Sequence, residues 1–303
     1  MEWNGFLNVV GGMLTHEPSQ PFSDGPQYPV QQGYSDQFTF DQQSSAGLQA
    51  FKRLDDTMSV TLQLFSQGSV DDYQAQLKWL YLTWEPDDHS SIRLGHLGAP
   101  VYYFSDFLNV GYAYHWVTPP EAAYPFDYTI TGIGYTYQET LEHFDWSLEL
   151  LAGAGDEYAP NIRSRLITRN NRTAVFTLSS QGWLTFRAQW SRFDTTLELD
   201  DLSEANLQKA TEMATDKALE MSGLPPSVTS TFRPILIEDT LNKLDAQGQL
   251  SLKDIPVNYG EMAVRMETGR WMLMGELIGV FSDAYLSGNT ITGFITVGIW
   301  DGA

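Results

Sequence analysis

The stretch Thr57–Trp84 reads TMSVTLQLFSQGSVDDYQAQLKWLYLTW. Its first half, Thr57–Gln67, sets Val60, Leu62 and Leu64 on one side and Ser59, Thr61 and Gln63 on the other. Gly68–Asp72 supply turn residues. Tyr73–Trp84 then alternates again, with Ala75, Leu77, Trp79 and Tyr81 opposite Gln74, Gln76 and Lys78. A period of two marks a strand with unlike faces. Each run is about 10 to 12 residues, the length a tilted strand needs to cross a bilayer. The strands of soluble sandwiches are typically about 5 to 6 residues.

The pattern repeats in both directions. Upstream lie Trp3–Leu14 and Phe40–Leu54, joined by a Pro- and Gln-rich connection, His16–Gln37. Downstream lie Ser91–Tyr103, Tyr128–Thr140, Phe144–Ala154, Leu166–Ser179 (broken at Asn170-Asn171), Trp183–Thr195, Tyr259–Thr268, Trp271–Phe281 and Thr290–Trp300. Leu184, Phe186, Ala188 and Trp190 oppose Thr185, Arg187, Gln189 and Ser191; Met262, Val264 and Met266 oppose Glu261, Arg265 and Glu267. Longer connections follow the first, fifth, seventh, ninth and eleventh strands, and short turns the others. Bacterial barrels sit in this way, with the turns periplasmic. Trp3, Trp79, Tyr81, Trp84, Trp183, Trp190, Trp271 and Trp300 read as interfacial girdle residues. The expected fold is an all-β transmembrane antiparallel barrel, a single unit over 1–303.

Composition agrees. The 303 residues contain no cysteine, and 17 Lys and Arg against 38 Asp and Glu leave a net charge of −21. That charge argues against nucleic acid as a partner. Aromatics are 13% and charged residues only 18%, yet mean hydropathy is −0.26. Alternating lipid-facing and water-facing residues average to such a mixture. No apolar run reaches the ~18 residues of a membrane-spanning helix. Met1-Glu2-Trp3 lacks the basic start of a signal peptide, which fits a mature chain.

The stretch Trp84–Tyr124 breaks the rule. After Ser91–Tyr103, residues Ser105–Asp127 have neither a helical nor a strand period and are too apolar for a solvated loop. A long, ordered, irregular segment usually has a function. In a barrel its place is the bore. The run IRLGHLGAPVYYFSDFLNVGYAYHWVTPPEAAY, from Ile92 to Tyr124, resembles a segment of Gram-negative outer-membrane porin-like proteins. There a strand R-L-G-R-x-x-x-P precedes S-D-x-L-x-V-G-Y-A-Y-x-W-x-x-P-P-E. The sequence departs from this pattern at His96, where the family carries Arg. The strands read here number twelve; either the barrel closes with about twelve or it is part of a larger one, and the resemblance, which implies a porin, favours sixteen. It also implies a passive channel, an inward constriction loop at 105–127 and a homotrimer in the outer membrane.

A constriction sorts solutes by its charges. The wall candidates, polar by alternation, are Arg93, Arg187, Arg265 and Lys78. The loop candidates are Asp106, Glu121 and Asp127, which would set a transverse field against them. Tyr112, Tyr114, His115 and Trp116 either line a slide for solutes or pin the loop to the wall. Excess acid at the mouths would favour cations. Asp24, Asp36, Asp71, Asp72, Asp156, Glu157, Asp200 and Asp201 could hold divalent cations beside lipopolysaccharide; otherwise no cofactor or metal is expected. Asp55-Asp56 and Asp87-Asp88 read as turn residues.

Residues 199–255 read as a helical extracellular insertion. Ser203 caps an amphipathic run with Leu207, Ala210, Ala214, Ala218 and Met221 on one face, stopped by Gly223. Pro225-Pro226 break the chain, and a second helix covers Pro234–Ala246 with Ile237, Leu241 and Leu244 inward. The insertion reads as a self-packed surface loop, a plug, or a docking site for a lipoprotein or phage. An outer-membrane lipid-active enzyme is a third reading. Of His16, His89, His96, His115 and His143, four lie in or beside loops and turns; His96 has no Ser or Asn at short spacing, and no hydrolase motif is present. The expectation is no enzyme.

Overall fold

The computed structural model describes residues 1–13, 36–41, 43–68, 73–111, 116, 123–124, 128–159, 164–180, 182–199, 211–212, 215–216, 219, 226–246, 253–282 and 289–299. Within them, twelve strands form one sheet in sequence order. They are β1 (Glu2–Asn8), β2 (Ser45–Arg53), β3 (Met58–Gln67), β4 (Gln76–Trp84), β5 (Ser90–Gly98), β6 (Thr129–Thr140), β7 (Phe144–Ala159), β8 (Ser164–Ser180), β9 (Leu184–Leu199), β10 (Ile255–Thr268), β11 (Trp271–Ser282) and β12 (Thr290–Ile299). Every neighbouring pair is antiparallel. Among the described residues β1 and β12 are edges and do not pair with each other, so the expected ring is seen as an open sheet.

Alternation sorts the two faces as oil and water would require. On β3, Ser59, Thr61 and Gln63 are buried, while Met58 and Leu64 are exposed. The same rule exposes Trp190 and Met262 and buries Gln189, Ser191 and Glu261. Cross-strand register carries the apolar outer rows over many strands: Leu148, Phe176, Ala188, Met262 and Leu277 are neighbours in turn. An outward apolar band above a polar inner face inverts a soluble protein and fits a lipid surround.

One inward row of the sheet is glycine on three successive strands. Gly95, Gly132 and Gly153 stand side by side on β5, β6 and β7. A Cβ on Gly132 would lie 2.0 Å from the Ala152 carbonyl oxygen, and Gly95 adopts φ +143°. Glycine kinks of this kind let a sheet curl.

Several readings of the strands change. In β4, Gln63 pairs with Trp79 but Leu64 pairs with Leu77, so Lys78 is an extra, bulged residue. The bulge turns Leu77 outward and Trp79 inward, which no uniform alternation over Tyr73–Trp84 can show. β5 stops at Gly98, not Tyr103, because Pro100 has no N–H to give the ladder. The expected break at Asn170-Asn171 is a bulge between Arg169 and Arg172, with Asn170 at φ 52°. β7 and β8 run on to Ala159 and from Ser164, so much of the loop expected at 155–163 is strand.

The short turns are built as the sequence indicated. Asp55 Oδ1 accepts from the backbone N–H of Thr57 at 2.8 Å and of Met58 at 2.7 Å. Asp87 Oδ1 accepts from His89 at 2.9 Å and Ser90 at 2.8 Å. These backbone donors, Thr57 and His89 foremost, hold both carboxyls below the usual aspartate range. A depressed carboxyl stabilises the turn above its unfolded pKa and stops doing so as pH falls through its folded value. We expect the Thr57, Met58, His89 and Ser90 amides to lose hydrogen-exchange protection as pH drops below about 4. Asp55→Asn and Asp87→Asn should remove that pH dependence. Equal protection across the range would show that the carboxylates do not hold these turns.

In the 199–255 region the described residues include a helix, α1, over Pro226–Ala246, with Pro234 inside it. Proline suits the first helical turn, so Pro226 opens the helix where a break was expected. Ile237 is buried as expected. Residues 211, 212, 215, 216 and 219 are also helical, and Arg233 grips Asp216 through two hydrogen bonds of 2.5 and 2.9 Å. Leu207, Ala210, Ala214, Ala218 and Met221 lie outside the described residues, as do the side chains of Leu241 and Leu244.

Candidate functional site

The segment between β5 and β6 packs on the inward face. Its described residues include Ala99–Gly111, with a 3-10 turn at Ser105–Phe107. Val101, Tyr102, Phe104, Ala123 and Tyr124 join Leu97, Ile130, Leu151, Tyr259, Met274 and Ile278 in the largest apolar cluster. The core of this protein is thus the underside of one segment against the inner wall of β5–β7 and β10–β12. Phe104 meets Trp116 edge-on at 5.7 Å, and Trp116 in turn meets Phe294 of β12 at 5.1 Å. At the other edge, Asn8 of β1 donates to the Asn109 carbonyl at 2.8 Å and accepts from the Gly111 N–H at 3.2 Å. One segment therefore touches both edge strands, and the sheet must curl round it.

Polar groups of the wall fix the backbone of this segment. Arg187 Nη2 donates to the Pro100 carbonyl at 2.5 Å, and the Tyr259 hydroxyl donates to the Val101 carbonyl at 2.7 Å. Glu276 accepts the Tyr103 N–H at 3.1 Å and the Tyr124 hydroxyl. Without these partners the buried carbonyls and N–H would be unsatisfied, since the segment has no ladder of its own.

Arg93, Arg187 and Arg265 all lie on inward rows, and each has a carboxylate. Arg93 pairs with Glu149, Arg187 with Glu261 and Arg265 with Glu267. Arg187 is only 7% exposed and Glu261 2%, so this pair lies beneath the segment and not on an open passage. Asp106 is exposed on the segment and stands within electrostatic range of Glu149. Lys78 is the bulge residue of β4. Tyr112, Tyr114, His115, Glu121 and Asp127 lie outside the described residues.

The segment leaves space beside it. A cavity of about 190 Å³ separates it from the opposite wall, lined by Asn4, Gln49, Gln63 and Trp79 against Ser105–Val110. Gln63 donates to Gln49 at 3.1 Å across the strands. This side offers amides and Asp106; on the other side a second cavity, of about 210 Å³, is mostly apolar and is lined by Val101, Tyr102, Tyr128, Phe193, Tyr259 and Ile278. The anchoring residues Glu276, Glu261, Tyr259, Asn8 and Gln49 were not singled out from sequence. Their one signal was a polar group at an inward position, clearest for Glu276, a lone charge in WMLMGELIGVF (Trp271–Phe281).

Among the described residues no group of three or more His, Asp or Glu side chains is placed to hold a metal ion. Asp156 is taken up by Arg165, and Glu157 accepts the Thr129 N–H at 2.7 Å. Asp24, Asp71, Asp72, Asp200 and Asp201 lie outside the described residues.

Fold and site together define an antiparallel sheet with an apolar outer face and a segment packed on its inner face. The chain is similar in structure to outer-membrane proteins. They include Salmonella typhi OmpF in complex with daunomycin (6% identity, 99% of this chain and 85% of that chain, TM-score 0.42). The outer membrane channel DcaP of Acinetobacter baumannii is another (10% identity, 98% and 85%, TM-score 0.38). A third is a loop-deletion form of OmpT, an outer membrane protein of Vibrio cholerae (8% identity, 97% and 85%, TM-score 0.38). No protein-family model and no curated protein matches the chain.

Proposed function

We propose that the chain forms the wall and constriction of a passive outer-membrane channel for small hydrophilic solutes, with a preference for cations. The observation that carries this reading is the inward segment. It is tied by hydrogen bonds to β1, β9, β10 and β11, and it leaves an amide-lined gap on its other side. The outward apolar rows supply the lipid contact such a wall needs. A sheet in lipid cannot keep open edges, so the working form is a closed ring. A homotrimer is the assembly we propose with it, on the resemblance of Ile92–Tyr124 to porins.

Cation preference follows from the charge pairing. The three inward arginines are each matched by a carboxylate, and among the described residues lining the gap Asp106 is the charged one. The chain as a whole carries −21. Purified protein in planar bilayers should give stepwise conductance, with a reversal potential on the cation side in a KCl gradient. Asp106→Asn should reduce the cation-to-anion permeability ratio about two- to fivefold. One unit charge near a passing ion in water-like surroundings is worth about 0.5–1 kcal/mol. Absence of conductance steps would remove the channel reading; anion selectivity would remove the preference.

A further inference from the structure

The outward face carries two arginines that the channel does not use. Arg172 of β8 and Arg192 of β9 are directly opposite each other in the register. Both are exposed and share the outward row with Ala152, Asn258 and Phe281. Among the described residues neither forms an ion pair, whereas Arg165, four residues before Arg169 on the far side of the bulge, is held by Asp156. Arg192 has Asn258 Oδ1 at 3.4 Å. Asp194, on the same side of β9, accepts instead from Asn170 at 2.7 Å. Like charges directly opposite on a sheet destabilise it, unless an anion sits between them.

Their depth is informative. Trp183 marks the short-turn end of β9, and Arg192 stands about nine residues on, which is the number a tilted strand uses to cross the hydrocarbon. The arginines are therefore level with the headgroups on the long-loop side. Directly below them the surface is grooved. Ala152 and Ala174 form a low floor between Ile133, Leu150 and Trp190, and the groove, about 340 Å³, reaches Arg172 at its upper end. A cationic fork above an apolar trough has the shape of one lipid.

We propose that Arg172 and Arg192 bind the phosphate of a membrane lipid, with an acyl chain lying in the groove along Leu150, Ala174 and Trp190. Guanidinium groups hold phosphate by paired, charge-assisted hydrogen bonds, and two of them facing each other offer several such donors to one headgroup. The inference rests on the outer face meeting lipid, and not on conduction.

The test is native mass spectrometry of the full chain in detergent micelles, titrated with dioleoyl phosphatidic acid. One phosphatidic acid should be retained preferentially. Dioleoylglycerol, which lacks the phosphate, should bind at least about tenfold more weakly, as should phosphatidic acid to the double variant Arg172→Gln with Arg192→Gln. Inorganic phosphate at equal concentration should not displace the lipid, and Arg165→Gln should bind as the parent does. If the double variant does not fold, Arg172→Gln alone should show a smaller loss. Retention of phosphatidic acid unchanged in these variants overturns the site. Equal retention of dioleoylglycerol reduces it to a groove, and displacement by inorganic phosphate makes it a site for free anions; either result overturns the lipid assignment. Conductance of the parent protein is read separately, so a failed channel and a failed lipid site give different results.

Discussion

Arg187→Met should destabilise the protein by about 3–5 kcal/mol in urea unfolding from lipid vesicles, followed by tryptophan fluorescence. That is the usual cost of leaving one member of a buried pair alone. The Arg187 side chain is 9% exposed and that of Glu261 is 0% exposed. An exposed pair would be worth about 0–1 kcal/mol, so the size of the effect distinguishes the two situations. Glu261 is poorly placed to lose its partner: its Oε1 has no hydrogen-bond partner among the described residues, and neither does Oε1 of its cross-strand neighbour Gln189. Arg187 also holds the Pro100 carbonyl, the first point at which the inward segment leaves the sheet. Glu261→Met should cost a similar amount. The double variant, with both charges replaced by apolar chains of similar length, should recover most of the loss. What remains should be about 1 kcal/mol for the orphaned Pro100 carbonyl. Additive single and double losses would mean that the two side chains are not coupled, and the buried pair would have no structural role.

The twelve strands could be read in the sequence because each lies between two unlike solvents. Val60, Leu62 and Leu64 on one side and Ser59, Thr61 and Gln63 on the other leave a single orientation open to β3. The irregular segment stood out for the opposite reason: Ser105–Asp127 follows no period yet is rich in aromatic residues, and its described residues 105–111 pack on the inner face. Local irregularities were harder. The bulge at Lys78 depends on the register β4 adopts against β3, and register is a property of the pair, not of one strand. The reach of β7 to Ala159 and of β9 to Leu199 depends likewise on mutual pairing with β8. The anchors were least legible. Alternation shows that Arg187 and Glu261 point inward, but not that a folded segment covers them. Glu276 sits among apolar neighbours because that part of the inner wall faces the segment's core and not water. Its charge has meaning only with Tyr103 and Tyr124 in place.

If the chain conducts as proposed, Glu276→Ala should loosen the inward segment and enlarge the conductance. The carboxylate accepts from the Tyr103 N–H with one oxygen and from the Tyr124 hydroxyl with the other. It is 3% exposed, and the rings of Tyr102, Phe104 and Tyr124 stack close by. Removing it leaves two buried donors without acceptors and a cavity under the segment. Hydrogen bonds to a charged group are worth about 1.5–3 kcal/mol each, so the packed position loses about 3 kcal/mol or more. Each 1.4 kcal/mol changes a population ratio about tenfold, and a displaced segment rarer than one in a thousand would become visible in single-channel records. We expect added noise in the open state and a sublevel of larger conductance. Tyr124→Phe, which removes one of the two bonds and keeps the ring, should fall between the parent and Glu276→Ala. The segment is also held at Arg187, Tyr259 and Asn8, so it should detach in part and not leave the bore. Trace noise and conductance identical to the parent in Glu276→Ala would show that the Glu276 anchor does not control the width of the passage.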